Sequence, residues 1–138
     1  MSKRARSGLV LTALLTLVLV LIPERTGLTP SFIPEMSKRT KATMEEKREN
    51  KALAISYAHA LGYSKSNVKC LITLWAGESR FDHLADNKRS TAYGIAQLLR
   101  ERSSEPAIQI LHGIRYLRER YAGSACRALQ HSNRRGWY

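Results

Sequence analysis

The stretch KSNVKCLITLWAGESRF, residues 65–81, places apolar side chains at the spacing of one helix face. Four of these side chains follow the i, i+3, i+4, i+7 pattern, namely Val68, Leu71, Ile72 and Trp75. The pattern predicts a helix with one buried face that begins near Ser64 or Ser66 and ends between Glu78 and Arg80.

Glu78 lies on the same face, three residues after Trp75 and seven after Leu71. Burial disfavours a charged carboxylate, and the partial negative charge at a helix C-terminus acts in the same direction. We therefore expect a raised pKa for Glu78, as a carboxylic acid needs in order to donate a proton near neutral pH. The alternative is a structural ion pair with Arg80 or Arg115.

Further helices are predicted on both sides of this one. The first starts at the capping box of Thr43 and Glu46 and ends at Gly62, and its apolar residues are Leu53, Tyr57, Ala58 and Leu61. Another starts at Pro106 and ends before Gly123, with an apolar stripe of Ala107, Leu111, Ile114, Leu117 and Tyr121. A last short helix runs from a Ser124 cap through Leu129.

The stretch 82–94 is rich in turn residues and too polar for a core element. A small hairpin is compatible with it, and a short helical segment is expected over 95–102. Strand alternation is not convincing anywhere in the sequence. The chain therefore predicts a mainly α, compact helical domain.

The N-terminus has the layout of an export signal. Residues 8–22 carry no charge and follow a basic start. As a helix they would reach only about 22 Å, less than the roughly 30 Å of a bilayer core, which favours a signal peptide. The residues after Ile22 offer no small-x-small cleavage site, so an uncleaved anchor is the alternative. We predict a signal peptide or anchor over 1–23, a proline-punctuated tether over 24–42, and a folded domain over 43–138 outside the inner membrane.

Cys70 and Cys126 fit this topology. In an oxidising compartment they could form a disulfide that closes a loop of about 57 residues and contributes roughly 4 kcal/mol. The alternative is two buried free thiols. The four histidines, His59, His83, His112 and His131, show no metal-ligand spacing, so we predict neither a metal nor a cofactor.

The formal net charge is +12 at pH 7. Such a charge attracts any polyanion, including nucleic acid, anionic lipid and the peptide carboxylates of a cell wall. The basic residues are scattered, without a nucleic-acid motif or an aromatic stacking pattern. We therefore expect a generally attractive surface and no specific nucleic-acid site.

Three sequence elements together resemble the lytic transglycosylase family. The first is Glu78-Ser79 at the end of a helix, and the second is the Gly94-Ile95-Ala96-Gln97 turn that follows a polar loop. The third is the later stretch 109–117, QILHGIRYL, which is similar to a later helix of that family. The resemblance covers about half of the chain, from Val68 to Tyr138, and it implies a small lysozyme-like helical fold.

In that family the matching glutamate, here Glu78, is the single catalytic acid/base. It acts on the β-1,4 bond between N-acetylmuramic acid and N-acetylglucosamine in peptidoglycan and leaves a 1,6-anhydro product. The nucleophile is part of the substrate, so a second carboxylate is not needed. Asp82 is more readily explained as a turn or cap residue.

The resemblance also implies a set of substrate-binding residues: Asn87, Ser90, Tyr93, Gly94, Gln97, Tyr116 and Tyr138. Asn87 would contact the sugar ring or its N-acetyl group, and Gln97 would orient the sugar or shape the cleft floor. Tyr116 or Tyr138 could bring a hydroxyl to Glu78, because the chain lacks the family's usual tyrosine-bearing Ala-Tyr-Asn-Ala-Gly segment.

Two alternatives remain open from the sequence: a goose-type lysozyme that uses Glu78 with water, and an inactive wall-binding protein. The expected partners are peptidoglycan glycan strands and, through residues 8–22, the membrane. We expect a monomer. The setting would suit a phage lysis or entry enzyme, or a bacterial enzyme that opens the wall for a secretion or conjugation machine.

Overall fold

A computed structural model describes residues 39–138. The predicted signal segment 1–23, with its apolar residues 8–22, lies outside the described residues, as does most of the predicted tether 24–42. The described part forms four helices, α1 (Met44–Ala60), α2 (Lys65–Glu78), α3 (Pro106–Tyr121) and α4 (Ala125–Arg135), and two short strands, β1 (Ala92–Tyr93) and β2 (Leu98–Leu99). The prediction of a mainly helical domain is confirmed.

The start of α1 agrees with its predicted capping box. The Thr43 hydroxyl accepts the Glu46 N–H at 3.2 Å, and the Glu46 carboxylate accepts the Thr43 N–H at 2.7 Å. The buried side chains of α1 are Asn50, Ala54 and Ala58. Leu61, predicted as part of the apolar stripe, is 55% exposed because α1 ends at Ala60, before the chain turns at Gly62.

Helix α2 runs as predicted. The Ser64 hydroxyl caps it by accepting the Asn67 N–H at 3.2 Å, and its last residue is Glu78. Its buried side chains are Val68, Leu71, Leu74 and Trp75. Ile72, predicted on the buried face, is only partly buried, whereas Leu74, which was not predicted there, is buried.

The predicted stripe of α3 is confirmed at Ile114 and Leu117 but wrong at Leu111. Leu111 is 47% exposed, whereas Ile110 and Leu117 are fully buried and Ile114 is nearly so. Residues 110, 113, 114 and 117 have the same helical spacing as the predicted set, and periodicity alone does not choose between them. Gly113 decides the choice, because it is the position where Trp75 of α2 packs directly against the α3 backbone.

Two predictions for the region between α2 and α3, the hairpin within 82–94 and the helical segment over 95–102, need correction. The hairpin extends beyond residue 94, because β1 pairs antiparallel with β2, and Asp86 adds a single bridge to Tyr93. The predicted helical segment over 95–102 is absent from the described structure; turns and β2 replace it. Gln97 and Arg100 have positive φ angles of 49° and 62°, a left-handed conformation that interrupts a right-handed helix.

A disulfide joins Cys70 on α2 to Cys126 on α4, which confirms that prediction. Helix α4 continues to Arg135, beyond the predicted end at Leu129, and Gly136 ends it in the left-handed conformation. The hydrophobic core is built mainly from α2, α3 and α4, with Ala54 and Ala58 of α1. Within residues 39–138, no helix is both long enough and apolar enough to cross a membrane.

Candidate active site

Two clefts meet at Glu78, which is the only residue of the described range 39–138 that lines both. We name the first, of about 690 Å³, the aromatic cleft; it is lined by Glu78, Asn87, Ala92, Gln97, Leu98, Leu99, Tyr116, Arg120, Gly136, Trp137 and Tyr138. We name the second, of about 870 Å³, the basic cleft; it is lined by Arg39, Thr40, Lys41, Lys47, Gly77, Glu78, Ser79, Arg80, Asp82, Leu84, Ala85, Asp86, Lys88 and Tyr93. The end of α2 therefore carries its carboxyl group to the junction of two clefts.

Glu78 is partly buried, and burial raises the pKa of its carboxyl group above the usual value. This is the predicted direction. Among residues 39–138, no basic side chain lies within ion-pair distance of Glu78, and Arg115 pairs with Glu119 at 2.8 Å instead. The alternative of a structural ion pair with Arg80 or Arg115 is therefore not found in the described structure.

The backbone after Glu78 is held in a tight turn. The Ser79 hydroxyl donates to the Ile95 carbonyl at 2.7 Å, which ties the end of α2 to the turn over 94–97. Arg80 and Phe81 have positive φ angles of 57° and 61°, which non-glycine residues rarely adopt. Phe81 is buried, and its carbonyl accepts the Asn50 side-chain amide at 2.9 Å. Packing on both sides thus fixes where Glu78 stands.

Tyr138 and Tyr116 form one wall of the aromatic cleft. The Tyr138 hydroxyl donates to the Ala96 carbonyl and accepts the Trp75 indole N–H at 3.1 Å. The Tyr116 hydroxyl donates to the Tyr138 carbonyl at 3.0 Å, and the two rings meet edge to face at 5.7 Å. Burial, and after it the negative charge of Glu78, raises the pKa of Tyr138. Tyr138 is therefore a fixed, neutral neighbour of Glu78, although neither tyrosine hydroxyl is hydrogen-bonded to Glu78 in the described part.

Two of the predicted substrate-binding residues add amides to the aromatic cleft. The Gln97 side-chain amide donates to the carbonyls of Ala85 and Gly94 at 3.1 and 2.9 Å, so it holds the hairpin turn as well as lining the cleft. The Asn87 side-chain oxygen accepts the Arg89 N–H at 3.0 Å, and the residue is exposed. The Asn87 amide nitrogen makes no hydrogen bond within the described residues and can donate to a ligand in the cleft.

The other three predicted residues lie elsewhere. Tyr93 lines the basic cleft. Ser90 is exposed, lines neither cleft, and accepts the Ala92 N–H at 3.1 Å. Gly94 is buried with φ +77°, and a Cβ atom there would overlap the Gln109 amide. Gly94 therefore has a structural reason to be glycine, which is the close approach of Gln109.

Gln109 is a buried residue of α3 that was not singled out in the sequence. Its side-chain oxygen accepts the Ile95 N–H at 2.9 Å, and its nitrogen donates to the carbonyls of His83 and Ser103 at 2.9 and 2.6 Å. One amide thus joins three separate loop segments behind the site. A glutamine next to an apolar stripe looks like an ordinary solvent-facing residue, so the sequence held no signal for this role.

Asp82 joins the segment before α1 to the loop after α2. One carboxylate oxygen accepts the N–H groups of Ala42 and Leu84, both at 3.0 Å, and the other lies 3.0 Å from the Lys47 ammonium. Burial alone would raise the pKa of Asp82, but these hydrogen bonds outweigh it and lower the pKa below its usual value. Asp82 is therefore an ionised structural residue that closes one side of the basic cleft.

Six lining residues of the aromatic cleft were not predicted as site residues, namely Ala92, Leu98, Leu99, Arg120, Gly136 and Trp137. The Arg120 guanidinium stands 5.9 Å from the centre of the Tyr116 ring, a cation–π distance that their i, i+4 spacing on a helix could have suggested. Trp137 is 52% exposed, and its ring packs on His131 at 4.4 Å. Leu98 and Leu99 belong to β2, which was predicted as helix.

In comparisons with family models, with curated proteins and with solved structures, the chain matches none of them. Any assignment of activity therefore depends on the residues of the site and on the sequence resemblance. Among residues 39–138, no group of three or more His, Cys, Asp or Glu side chains is placed to hold a metal ion.

Proposed function

We propose that this protein is a peptidoglycan lytic transglycosylase with a lysozyme-like domain and Glu78 as its single acid/base. The observation that carries the proposal is the position of Glu78: a partly buried carboxyl group of raised pKa, without a basic partner among the described residues, where two clefts meet. Burial that raises the pKa of a carboxyl group brings it closer to the operating pH, which makes the group a better general acid.

The state of the other carboxylates supports a mechanism with one such group. Asp82 is held by two backbone N–H groups and Lys47, and Asp86 lies 2.7 Å from Lys88. Of the carboxylates that line the two clefts, only Glu78 is without a basic partner in the described structure. Most glycosidases that use water or a covalent intermediate need a second carboxylate beside the scissile bond. A substrate that brings its own nucleophile does not.

The reaction then proceeds as follows. Protonated Glu78 donates its proton to the glycosidic oxygen as the bond from that oxygen to the anomeric carbon of N-acetylmuramic acid breaks. The C6 hydroxyl oxygen of the same sugar bonds to the anomeric carbon, and its proton passes to the Glu78 carboxylate. Glu78 is regenerated, water is not consumed, and the products are a 1,6-anhydro end and a free 4-hydroxyl.

The aromatic cleft has the character of a sugar site. Its exposed apolar surface comes from Trp137 and Leu99, and its polar groups include the amides of Asn87 and Gln97. Binding sites for small molecules commonly combine apolar walls with a few fixed polar groups. We propose that this cleft holds the glycan next to the scissile bond, with Tyr138 and Tyr116 as its rigid wall.

The Cys70–Cys126 disulfide supports action outside the cytoplasm, because structural disulfides persist in oxidising compartments. Together with the basic start and apolar segment of residues 1–23, it supports export across the inner membrane or anchoring in it. We therefore place the site facing peptidoglycan, in a phage-encoded or bacterial wall-opening role.

Glu78→Gln tests the proposal, because it keeps the size of the side chain and removes the acid. We expect peptidoglycan cleavage to fall by roughly 10²- to 10⁴-fold, the usual contribution of a general acid/base. The control is Glu119→Gln, which makes the same chemical change at an exposed, arginine-paired carboxylate that lines neither cleft and should retain activity near the wild-type level. Undiminished cleavage by Glu78→Gln would remove Glu78 from the mechanism.

The products distinguish the transglycosylase from a hydrolase on the same site. Mass spectrometry of digested peptidoglycan should show 1,6-anhydro ends, which are one water lighter than the reducing ends of a hydrolysed strand. Reducing ends alone would assign the site to a goose-type lysozyme activity. Binding to wall sacculi without either product would indicate an inactive wall-binding protein.

A further inference from the structure

The two clefts that meet at Glu78 differ sharply in charge. Five cationic side chains line the basic cleft, Arg39, Lys41, Lys47, Arg80 and Lys88, against the three carboxylates Glu78, Asp82 and Asp86. In the aromatic cleft the charged lining residues are Glu78 and Arg120. The groove as a whole therefore offers a nearly neutral sugar site on one side of Glu78 and a cationic site on the other.

Three of the five cations already have carboxylate partners. Lys47 pairs with Asp82 at 3.0 Å, and Lys88 pairs with Asp86 at 2.7 Å. Arg39 pairs with Glu46 through two hydrogen bonds of 2.9 and 3.1 Å. The two that remain are Lys41 and Arg80, which have no carboxylate within 4 Å among residues 39–138 and are both exposed.

Both remaining cations are attached to well-held backbone. Lys41 precedes Ala42, which is buried and whose N–H is bonded to Asp82. Arg80 follows α2 directly and precedes Phe81, which is buried in the core. Because Ala42 and Phe81 are held in place next to the two cations, little conformational freedom beyond that of the two side chains is lost when an anion binds.

The lining of the basic cleft is open at Gly77. Gly77 lines the basic cleft, and a Cβ atom added there would meet no other atom within 4 Å. A side chain longer than alanine at this position would therefore extend into the cleft. Residue 77 offers a way to obstruct the basic cleft without changing its charge.

We propose that the basic cleft binds the peptide carboxylates of the wall, so that the protein prefers glycan strands that carry peptides over bare strands. This inference rests on the proposed function, since the peptide must be attached to a glycan that lies in the aromatic cleft. Lys41 and Arg80 supply the positive charges that have no carboxylate partner among residues 39–138. Because Glu78 lies where the two clefts meet, a peptide in the basic cleft would lie next to the glycosidic bond that is cut.

A peptide fits this cleft better than the other polyanions that a net charge of +12 attracts. Two cations without a carboxylate partner among residues 39–138 match the few separated carboxylates of a short peptide. A membrane surface would instead engage a broad exposed cluster of basic residues. A single-stranded nucleic acid would need stacking aromatics beside the charges, and Tyr93 is the one aromatic residue in the lining of the basic cleft.

The experiment compares initial cleavage rates on two soluble substrates, peptide-bearing glycan strands and the same strands after amidase removal of the peptides. For the full-length wild-type protein we expect a rate ratio of about ten, since two solvent-accessible ionic contacts contribute a few-fold each. The double variant Lys41→Glu/Arg80→Glu should bring this ratio close to one. Gly77→Leu, which obstructs the cleft and leaves its charge intact, should also lower it.

The matched control is Lys51→Glu/Arg127→Glu, which makes the same change of net charge at two exposed residues that line neither cleft. It should keep the wild-type ratio. An equal loss of preference in this control would overturn the proposal, because net charge alone would then explain the effect.

The remaining outcomes separate this inference from the proposed function. Cleavage of both substrates with a wild-type ratio of one would overturn the peptide site and leave the transglycosylase intact. Cleavage of neither substrate would reject both. If Lys41→Glu/Arg80→Glu loses binding to anionic phospholipid vesicles while the substrate ratio stays unchanged, the cleft belongs to the membrane surface and the proposal is wrong.

Discussion

Replacing Gln109 by leucine should destabilise the domain and loosen the site together. The leucine keeps the approximate volume but removes three hydrogen bonds, to Ile95, His83 and Ser103. Ile95 is fully buried, so its N–H loses its partner without access to water, at about 2 kcal/mol. The two carbonyls are closer to solvent and should cost about 1 kcal/mol each. The expected loss is therefore about 4 kcal/mol in the free energy of unfolding.

Urea denaturation followed by circular dichroism measures this loss at 25 °C. Gln130→Leu makes the same chemical change on an exposed face of α4 and should shift the free energy of unfolding by no more than about 0.5 kcal/mol. Gln109→Leu should also reduce cleavage activity under conditions where the variant is still folded. The reason is that Gln109 holds Ile95, whose carbonyl accepts the Ser79 hydroxyl at the end of α2. A Gln109→Leu variant as stable as Gln130→Leu would show that the hydrogen bonds of Gln109 to Ile95, His83 and Ser103 do not stabilise the fold.

Three other predictions concern packing, ionisation and the disulfide. Gly113→Ala should destabilise the fold by about 2 kcal/mol, since the new Cβ would lie 2.5 Å from the buried tryptophan ring. Gly77→Ala is the control: its Cβ would meet no atom within 4 Å, so it should be neutral or stabilising by up to about 1 kcal/mol. Thermal denaturation of the two variants and the wild type measures the difference. Because burial raises the pKa of Glu78, the native state loses stability as the pH rises through that pKa. Glu78→Gln should therefore be more stable than the wild type at pH 7 and equally stable below pH ~4. Urea titrations at both pH values measure this. Reducing the Cys70–Cys126 disulfide should lower the free energy of unfolding by roughly 4 kcal/mol, and an unchanged urea midpoint after reduction would contradict the loop-entropy argument.

Sequence patterns predicted the helices well where local chemistry decides them. The Thr43 capping box and the Ser64 cap involve residues three positions apart, and both helices begin where these caps predicted. The placement of Glu78 at the end of α2 follows from the same kind of local periodicity. Its raised pKa was predictable too, because an apolar stripe that includes a carboxyl group implies burial.

Where two sequence patterns fit a helix equally well, local periodicity could not show which side chains are buried. Two candidate stripes on α3 have the same spacing, one with Leu111 and one with Ile110, and the contact between Trp75 and Gly113 selects the second. The stretch 95–102 contains helix-forming residues, yet the left-handed backbone at Gln97 and Arg100 turns it into part of a hairpin. Long-range packing, which periodicity does not encode, decided both.

What the sequence by itself determined is the starts of α1 to α4, the cap residues, the disulfide pair and the partly buried carboxyl group at position 78. Each depends on residues within about two helical turns or, for Cys70 and Cys126, on there being only two cysteines to pair. Only the tertiary structure placed Arg120 and Trp137 in the same cleft as Glu78 and gathered the cations of the basic cleft on its other side. These neighbours are up to 60 residues apart in sequence, and they come together only when the helices and the loops between them pack.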